Sequence, residues 1–446
     1  MLSTLSEGER DRPPRHQAMR ATIALSVDAL TEAERSVFRA FSVFAGGATA
    51  EAIAAVCAPK ADEVDSLADK SLLRHSDDRL SMLEPIRQFA EERLRHDVPG
   101  EFEQRVDAHA LAFADLAETL EPALVGHAQR DALDRLSADH ANLRLAWERG
   151  SGDVPLRVAS ALTRYWANRG NPTEGRTVLT SLLTSSAAPT GHLRTKAELG
   201  AGVLALLQGD VHAASPLLES AVLSQDEGVV AAALNQLGEA ARQLGDFVQA
   251  EALYARAVAA AEGRDERLLV LARMNQGTVA LQRGDPECAV SLLRDALSDC
   301  ARLGDEHTSV RVLGNLGFAL RLLGETSEAV EVFTHAWQQA RACGDRASEA
   351  RSLQNLAASM TDGGPLSAEQ ELTAANRVRE AIAIFDELGL KRELASALLS
   401  VCAFVDDAQE CLRSVSRARA LFVELGDQAG LSRADATLAG VLESLG

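Results

Sequence analysis

Three asparagines, Asn275, Asn315 and Asn355, follow one another at intervals of 40 residues. Gln236 stands 39 residues before the first. Each side chain ends in an amide that carries both a donor and an acceptor, which is what a peptide bond requires of a group that binds it. Arg311 and Arg351 precede the last two asparagines by four residues, about one helical turn. Arg242 and Arg321 lie six residues after Gln236 and Asn315. A guanidinium fork grips a carboxylate through two parallel hydrogen bonds. If these eight side chains share one groove, they would hold an extended, anionic, peptide-like segment. A structural role competes with that expectation. Asparagine also caps and bridges helices, and a charged helix face is commonly only solvated. Arginine is abundant throughout, since just four of the 45 basic residues are lysine (Lys60, Lys70, Lys196 and Lys391).

Bond-making chemistry has no comparable signature. The chain lacks a G-x-S-x-G elbow, an H-E-x-x-H pair and a C-x-x-C pair. Adjacent acids such as Glu91-Glu92 and Asp406-Asp407 do not have the geometry of an acid/base couple. The sequence therefore predicts a protein that is not an enzyme and that uses no cofactor or metal.

The elements that would position the eight residues are repeats. Glycines recur at Gly170, Gly209, Gly245, Gly284, Gly324 and Gly364, most followed by Asn, Asp or Glu. Alanines follow the middle four at fixed distances (Ala214, Ala250, Ala289, Ala329, then Ala221, Ala257, Ala296, Ala336), with Leu218, Tyr254, Leu293 and Phe333 between them. A small residue precedes each: Gly202, Gly238, Gly277 and Gly317. Glycine suits a left-handed helix end, small residues let helices approach, and the large one is expected to fill the gap between repeats. A second series, Gly304, Gly344, Gly389 and Gly426, is expected to end the second helix of each pair. In "ALNQLGEAARQLGDFVQAEALYARAVAAA" these positions resemble the tetratricopeptide repeat, with a period near 40 rather than about 34. The resemblance implies a mainly α fold: a right-handed superhelix of helix pairs over 154–446, with a concave groove. About seven pairs are expected, with "LSRADATLAGVLESLG" as the last helix.

Upstream, Thr31 and Glu34 form a capping box before Val37, Phe38, Phe41 and Phe44. That helix is expected to run to Gly46-Gly47, and Thr49 to cap the next. A third follows in "ADEVDSLADKSL", then a hairpin around Asp77-Asp78. Three helices and a hairpin predict a winged-helix domain over 22–98, after an N-terminal tail at 1–21 and before a helical bridge at 99–153. Limited proteolysis is expected to cut first near His96–Gly100, where Pro and Gly fall, or in the long turn at Asp362–Ser367. Residues 1–100 hold about 13 basic and 17 acidic side chains, which disfavours a DNA-reading face.

The segments "FSVFAGG", "LADKSLL", "MLEPIRQFAEERL" and "DHANLRLAWERG" occur in order over about 10–150. They resemble the region after the nucleotide-binding domain in bacterial signal-transduction ATPases with numerous domains, including multidomain transcriptional regulators. In that family the winged helix packs on the nucleotide domain and holds the ADP-bound off state. Related immune receptors carry Met-His-Asp at the end of the wing; the matching stretch here is Met82-Leu83-Glu84, without the histidine. The family's phosphate loop needs a Gly-Lys step, and this sequence contains none. The chain is accordingly expected to be the sensor part of a larger regulator, or a product lacking the motor, and not to bind ATP. Its expected partner is a protein or peptide, including a nucleotide-binding domain in cis or in trans, or a small effector. A standalone scaffold and DNA binding through the winged helix are the alternatives.

A net charge of −20 opposes contact with nucleic acid or anionic lipid. No apolar run reaches the roughly 18 residues of a membrane span. Six scattered cysteines, expected mostly buried as free thiols, suit a cytoplasmic location.

Overall fold

The computed structural model describes residues 14–76, 78–126, 128–169, 171–185, 190–362, 364–405 and 407–443. Asp77 and Gly170 lie outside them, as do residues 1–13 of the expected tail. The chain forms two compact units, which meet in sequence at Gln225/Asp226.

The first unit opens with α1 (Pro14–Asp28), which begins inside the stretch expected to be a tail and runs past its end at residue 21, and α2 (Glu32–Phe41). Thr31 and Glu34 make both halves of the predicted capping box. The helix stops at Phe41, five residues before Gly46. A short strand, β1 (Ala48–Thr49), intervenes before α3 (Ala50–Cys57). Thr49 is the N-cap residue of α3 but makes no side-chain cap; its hydroxyl accepts from Arg135 instead, at 3.1 Å. Next come α4 (Ala61–Asp69), β2 (Arg74–Ser76), β3 (Arg79–Ser81) and α5 (Glu84–His96). The predicted hairpin is β2–β3, and β1 adds a third antiparallel strand in the order β1-β3-β2.

α6 (Glu101–Leu120), α7 (Gln129–Ala138), α8 (His140–Arg149), α9 (Val154–Ala161), α10 (Thr163–Asn168), α11 (Pro172–Thr184), α12 (His192–Leu207) and α13 (Val211–Ala221) complete the unit. One continuous hydrophobic core runs from Ile23 to Leu204. The division expected at residues 98 and 153 is thus not where the compact units part. The helices of 99–153 bury Phe113, Leu136 and Leu143 in the same core as Phe38 and Trp166, so they are part of one body rather than a linker.

The second unit is α14 (Glu227–Gln243), α15 (Phe247–Ala261), α16 (Glu266–Gln282), α17 (Pro286–Leu303), α18 (Glu306–Leu322), α19 (Thr326–Ala342), α20 (Arg346–Thr361), α21 (Ala368–Glu387), α22 (Lys391–Ser400), α23 (Ala408–Leu425) and α24 (Gln428–Glu443). It is a tetratricopeptide-like α-solenoid, and the predicted final helix is α24. Gly245, Gly284 and Gly324 end first helices with φ of 79°, 78° and 78°, in the left-handed region. The aspartates after two of them, Asp246 and Asp285, accept the N–H of Gln249 and Cys288 and so cap the next helix.

The large residue of each repeat packs within its own helix pair, rather than between repeats as expected. A Cβ at Gly238, Gly277 or Gly317 would lie 2.7 Å from Tyr254, Leu293 or Phe333 respectively. Glycine there sets how closely the two helices of a pair approach. Cys57, Cys300 and Cys411 are buried, whereas Cys288 and Cys343 are exposed, contrary to the expectation for most thiols. Burial pushes the Cys57 thiol up to about 12.

Candidate functional site

α14, α16, α18 and α20 start alike. Asp226, Asp265, Asp305 and Asp345 each accept backbone N–H groups of the first turn. That common start, and helices of 16 or 17 residues, set the four in register. Their facing surfaces line a groove of about 800 Å³, within the range typical of ligand sites.

Seven of the eight predicted residues line this groove: Gln236, Arg242, Asn275, Arg311, Asn315, Arg351 and Asn355. Arg321 does not. Its guanidinium is held by both carboxylate oxygens of Asp362, at 2.5 and 3.1 Å, which occupies the fork it would have offered a ligand. Arg242 is at the groove but is likewise committed, with its Nε and Nη2 donating to Glu239 at 2.8 and 2.6 Å. Glu239 also accepts from the Tyr254 hydroxyl at 3.3 Å. This end of the groove is therefore charge-balanced.

The asparagines divide in the same manner. Asn275 Nδ2 donates to Asn235 Oδ1 at 3.0 Å, and Asn315 Nδ2 donates to the Thr278 hydroxyl at 3.1 Å. Both bridge adjacent first helices, as the structural expectation holds. The side-chain amides of Gln236 and Asn355 have no hydrogen-bond partner among the described residues.

The other end carries positive charge that acids do not fully balance. Arg351 reaches Glu393 at 3.4 Å. Arg311 has no hydrogen bond or ion pair among the described residues. Arg311 is exposed to water along the groove, while the groove wall beside it partly desolvates its guanidinium. That desolvation, and then repulsion from Arg351, lower its pKa from the ordinary value, with Asp345 and Asp305 opposing. The guanidinium remains charged at neutral pH.

Of the groove residues that the sequence did not point to, three bear most on its chemistry. Asn235 is 2% exposed and sits 40 residues before Asn275. Extending the asparagine spacing one step back would have found it, but alignment on Gly238 and Gly277, which are 39 apart, selected Gln236. Phe318 is an aromatic 44% exposed on the groove surface, and Gly314 lies one turn before it. An unpaired aromatic on an amide-bearing helix face was a usable signal for the first.

A smaller hollow of about 340 Å³ lies in the first unit, beside Arg35, Arg39 and Arg93. Each arginine meets an acid there: Glu32 at 3.7 and 3.4 Å, and Asp97 at 3.5 Å. It offers no unbalanced charge. Among the described residues, no three His, Cys, Asp or Glu side chains converge as metal ligands would, and no helix is long and apolar enough to cross a membrane.

A tetratricopeptide-repeat family model matches residues 229–302, which cover α14 to α17. Proteins described as putative HTH-type transcriptional regulators of Mycobacterium tuberculosis and Mycobacterium bovis are 27% identical over 369 residues, or 76% of this chain and 41% of theirs. The chain thus spans about two fifths of the length of these curated relatives. Among solved structures, it is similar to a signal-transduction ATPase with numerous domains from Pyrococcus horikoshii, a protein with a tetratricopeptide-repeat sensor. The TM-score is 0.69 at 15% identity, covering 94% of this chain and 61% of that one. The apo quorum sensor NprR of B. thuringiensis gives a TM-score of 0.55 at 13% identity, over 77% of this chain and 94% of that one. Likeness at these identities concerns the fold.

Proposed function

We propose that this protein is a non-catalytic sensor and interaction arm of a signal-transduction ATPase-type transcriptional regulator, with an acidic, extended peptide or protein segment as the ligand of its solenoid groove. The observation that carries this is Arg311, a cation that no acid among the described residues hydrogen-bonds or ion-pairs, in a groove of a chain whose net charge is −20. Side-chain amides of Gln236 and Asn355 without partners support an extended backbone as the rest of the ligand. The N-terminal helices and three-stranded sheet suit a winged-helix module that acts on a nucleotide-binding domain, in cis or in trans, rather than on DNA. The transcriptional setting is supported by the HTH-type relatives, and the sensor role by the repeat sensor of the Pyrococcus protein.

The test is affinity for acidic peptides selected from a random peptide array, followed by calorimetry on the paired change Arg311→Ala and Arg351→Ala. A charge-assisted hydrogen bond contributes about 1.5–3 kcal/mol, so the double variant should bind at least about tenfold more weakly. Its melting temperature should stay near the parent's, because neither arginine anchors the fold. Unchanged affinity would contradict the groove assignment. A large fall in melting temperature would make the two arginines structural.

A further inference from the structure

Gly314 lies inside α18, where glycine is a poor helix former. The repeat glycines Gly238, Gly277 and Gly317 are explained by packing, since a Cβ on any of them would strike a neighbouring side chain. Gly314 has no such reason: a Cβ built there meets nothing within 4 Å. Its backbone conformation does not call for glycine either, because its φ is not positive. It lines the groove, and the space that a side chain would occupy there is open.

The surroundings of that space have a definite chemistry. Phe318 lies four residues on and Val310 four residues before, so all three share one helix face with about 5–6 Å between neighbours. Met274, on α16, also lines this part of the groove. Phe318 is 44% exposed, a large apolar surface left open to water. Arg311, whose guanidinium has no hydrogen bond or ion pair among the described residues, is three residues before Gly314 on the same face.

From this we infer that Gly314 and Phe318 form a specificity pocket for an apolar side chain, next to a carboxylate subsite at Arg311. The ligand class is a peptide segment with an aspartate or glutamate adjacent to, or one residue from, a leucine-sized apolar residue. The spacing follows from the chain's reach of about 3.3–3.6 Å per extended residue against the 5–6 Å between helix neighbours. Charge complementarity selects the acid, and the open space selects the apolar neighbour. This pocket rests on the groove assignment proposed above, and its test is chosen to separate the two.

The probes are N-acetylated, C-amidated octapeptides in a Gly/Ser/Ala background, with Asp-Leu or Asp-Ala-Leu at the centre. Matched controls replace Asp by Asn or Leu by Ser. One of the two Asp/Leu peptides should bind the full chain at least about tenfold tighter than its controls. Gly314→Leu fills the open space and should weaken that peptide about tenfold while the melting temperature rises or holds, since leucine favours helix over glycine. Gly314→Ala, whose single methyl meets no neighbour, is the second variant should the larger side chain perturb α18; it should weaken binding in the same direction. Phe318→Ala should remove the preference for Leu over Ser and leave that for Asp over Asn. Equal binding of Leu and Ser peptides, or unchanged affinity in both Gly314 variants, overturns the pocket. If those peptides still need Arg311 and Arg351, the groove assignment survives that outcome. If no peptide binds the parent chain, the groove assignment fails and the pocket with it.

Discussion

Replacing Asp139 by alanine is expected to destabilise the N-terminal unit by about 3–5 kcal/mol, the usual cost of leaving a buried charge without its partner. Asp139 is only 1% exposed. Its carboxylate accepts from Arg79 Nη2 at 2.5 Å and pairs with Arg135 Nε at 3.2 Å. Arg79 extends from β3 and also donates to the Gly47 carbonyl at 2.9 Å. Asn142, three residues after Asp139, completes the joint. It accepts from the Ala45 N–H at 2.7 Å and donates to the Gly47 carbonyl at 2.8 Å. The Gly46-Gly47 turn, the sheet and the helices of 99–153 are therefore tied together by four side chains, Arg79, Arg135, Asp139 and Asn142. Gly47 itself is irreplaceable there, with φ of 86° and the Leu80 carbonyl 2.6 Å from any added Cβ. Urea unfolding followed by tryptophan fluorescence reads the effect, since Trp147 and Trp166 belong to this core. Asp139→Asn, which keeps one acceptor, should lose less. A loss below about 1 kcal/mol for Asp139→Ala would mean that the joint does not hold the unit together.

The second large effect is on pH. His109 is 2% exposed, packs on Phe44 and Phe113, and has Nε2 3.3 Å from Asn142 Oδ1. Because that oxygen is an acceptor, the neutral ring carries its proton on Nε2. Burial first, and the charge of Arg149 as well, lower the imidazole from 6.5 to about 4, against the opposing pull of Asn142 and Asp139. The unfolded chain takes up this proton near 6.5 and the folded chain only near 4. Stability from this group is therefore complete above pH 6.5 and is lost as pH falls towards 4. Between pH 7.5 and 5 the loss should be about 2 kcal/mol, using 1.36 kcal/mol per unit of pKa difference. This window lies mostly above the range where carboxylates titrate, so comparison with His109→Phe isolates it. Chemical denaturation across that range should show a shallower decline in the variant. Parallel curves for parent and variant would contradict a neutral buried histidine.

The solenoid was legible in the sequence because its rules are local. A left-handed glycine at φ near 78° and an aspartate cap recur at fixed spacing, and both act within one turn of chain. The capping box at Thr31 and the hairpin at 74–81 are equally local. What escaped depends on partners distant in sequence. β1 exists because residues 48 and 49 pair with Leu80 and Arg79. Thr49 has a hydroxyl that is taken by Arg135, 86 residues on, so the predicted cap does not form. The groove shows the same limit. Spacing placed arginines and amides on α14, α16, α18 and α20, but whether an arginine is available depends on an acid elsewhere. Asp362 removes Arg321 and Glu239 balances Arg242, while no comparable described residue reaches Arg311. Gly314 was invisible for a further reason: an empty volume has no sequence signature.

The central claim is that the ligand lies in the groove over α18 and α20. Hydrogen exchange on the full chain, with and without an acidic peptide selected from the array, tests it most directly. Bound peptide should slow exchange in 306–322 and 346–361, the segments that carry Arg311 and Arg351, and the protection should vanish in the Arg311→Ala/Arg351→Ala double variant. Protection confined to other helices, or protection of α18 and α20 that persists in the double variant, would contradict it.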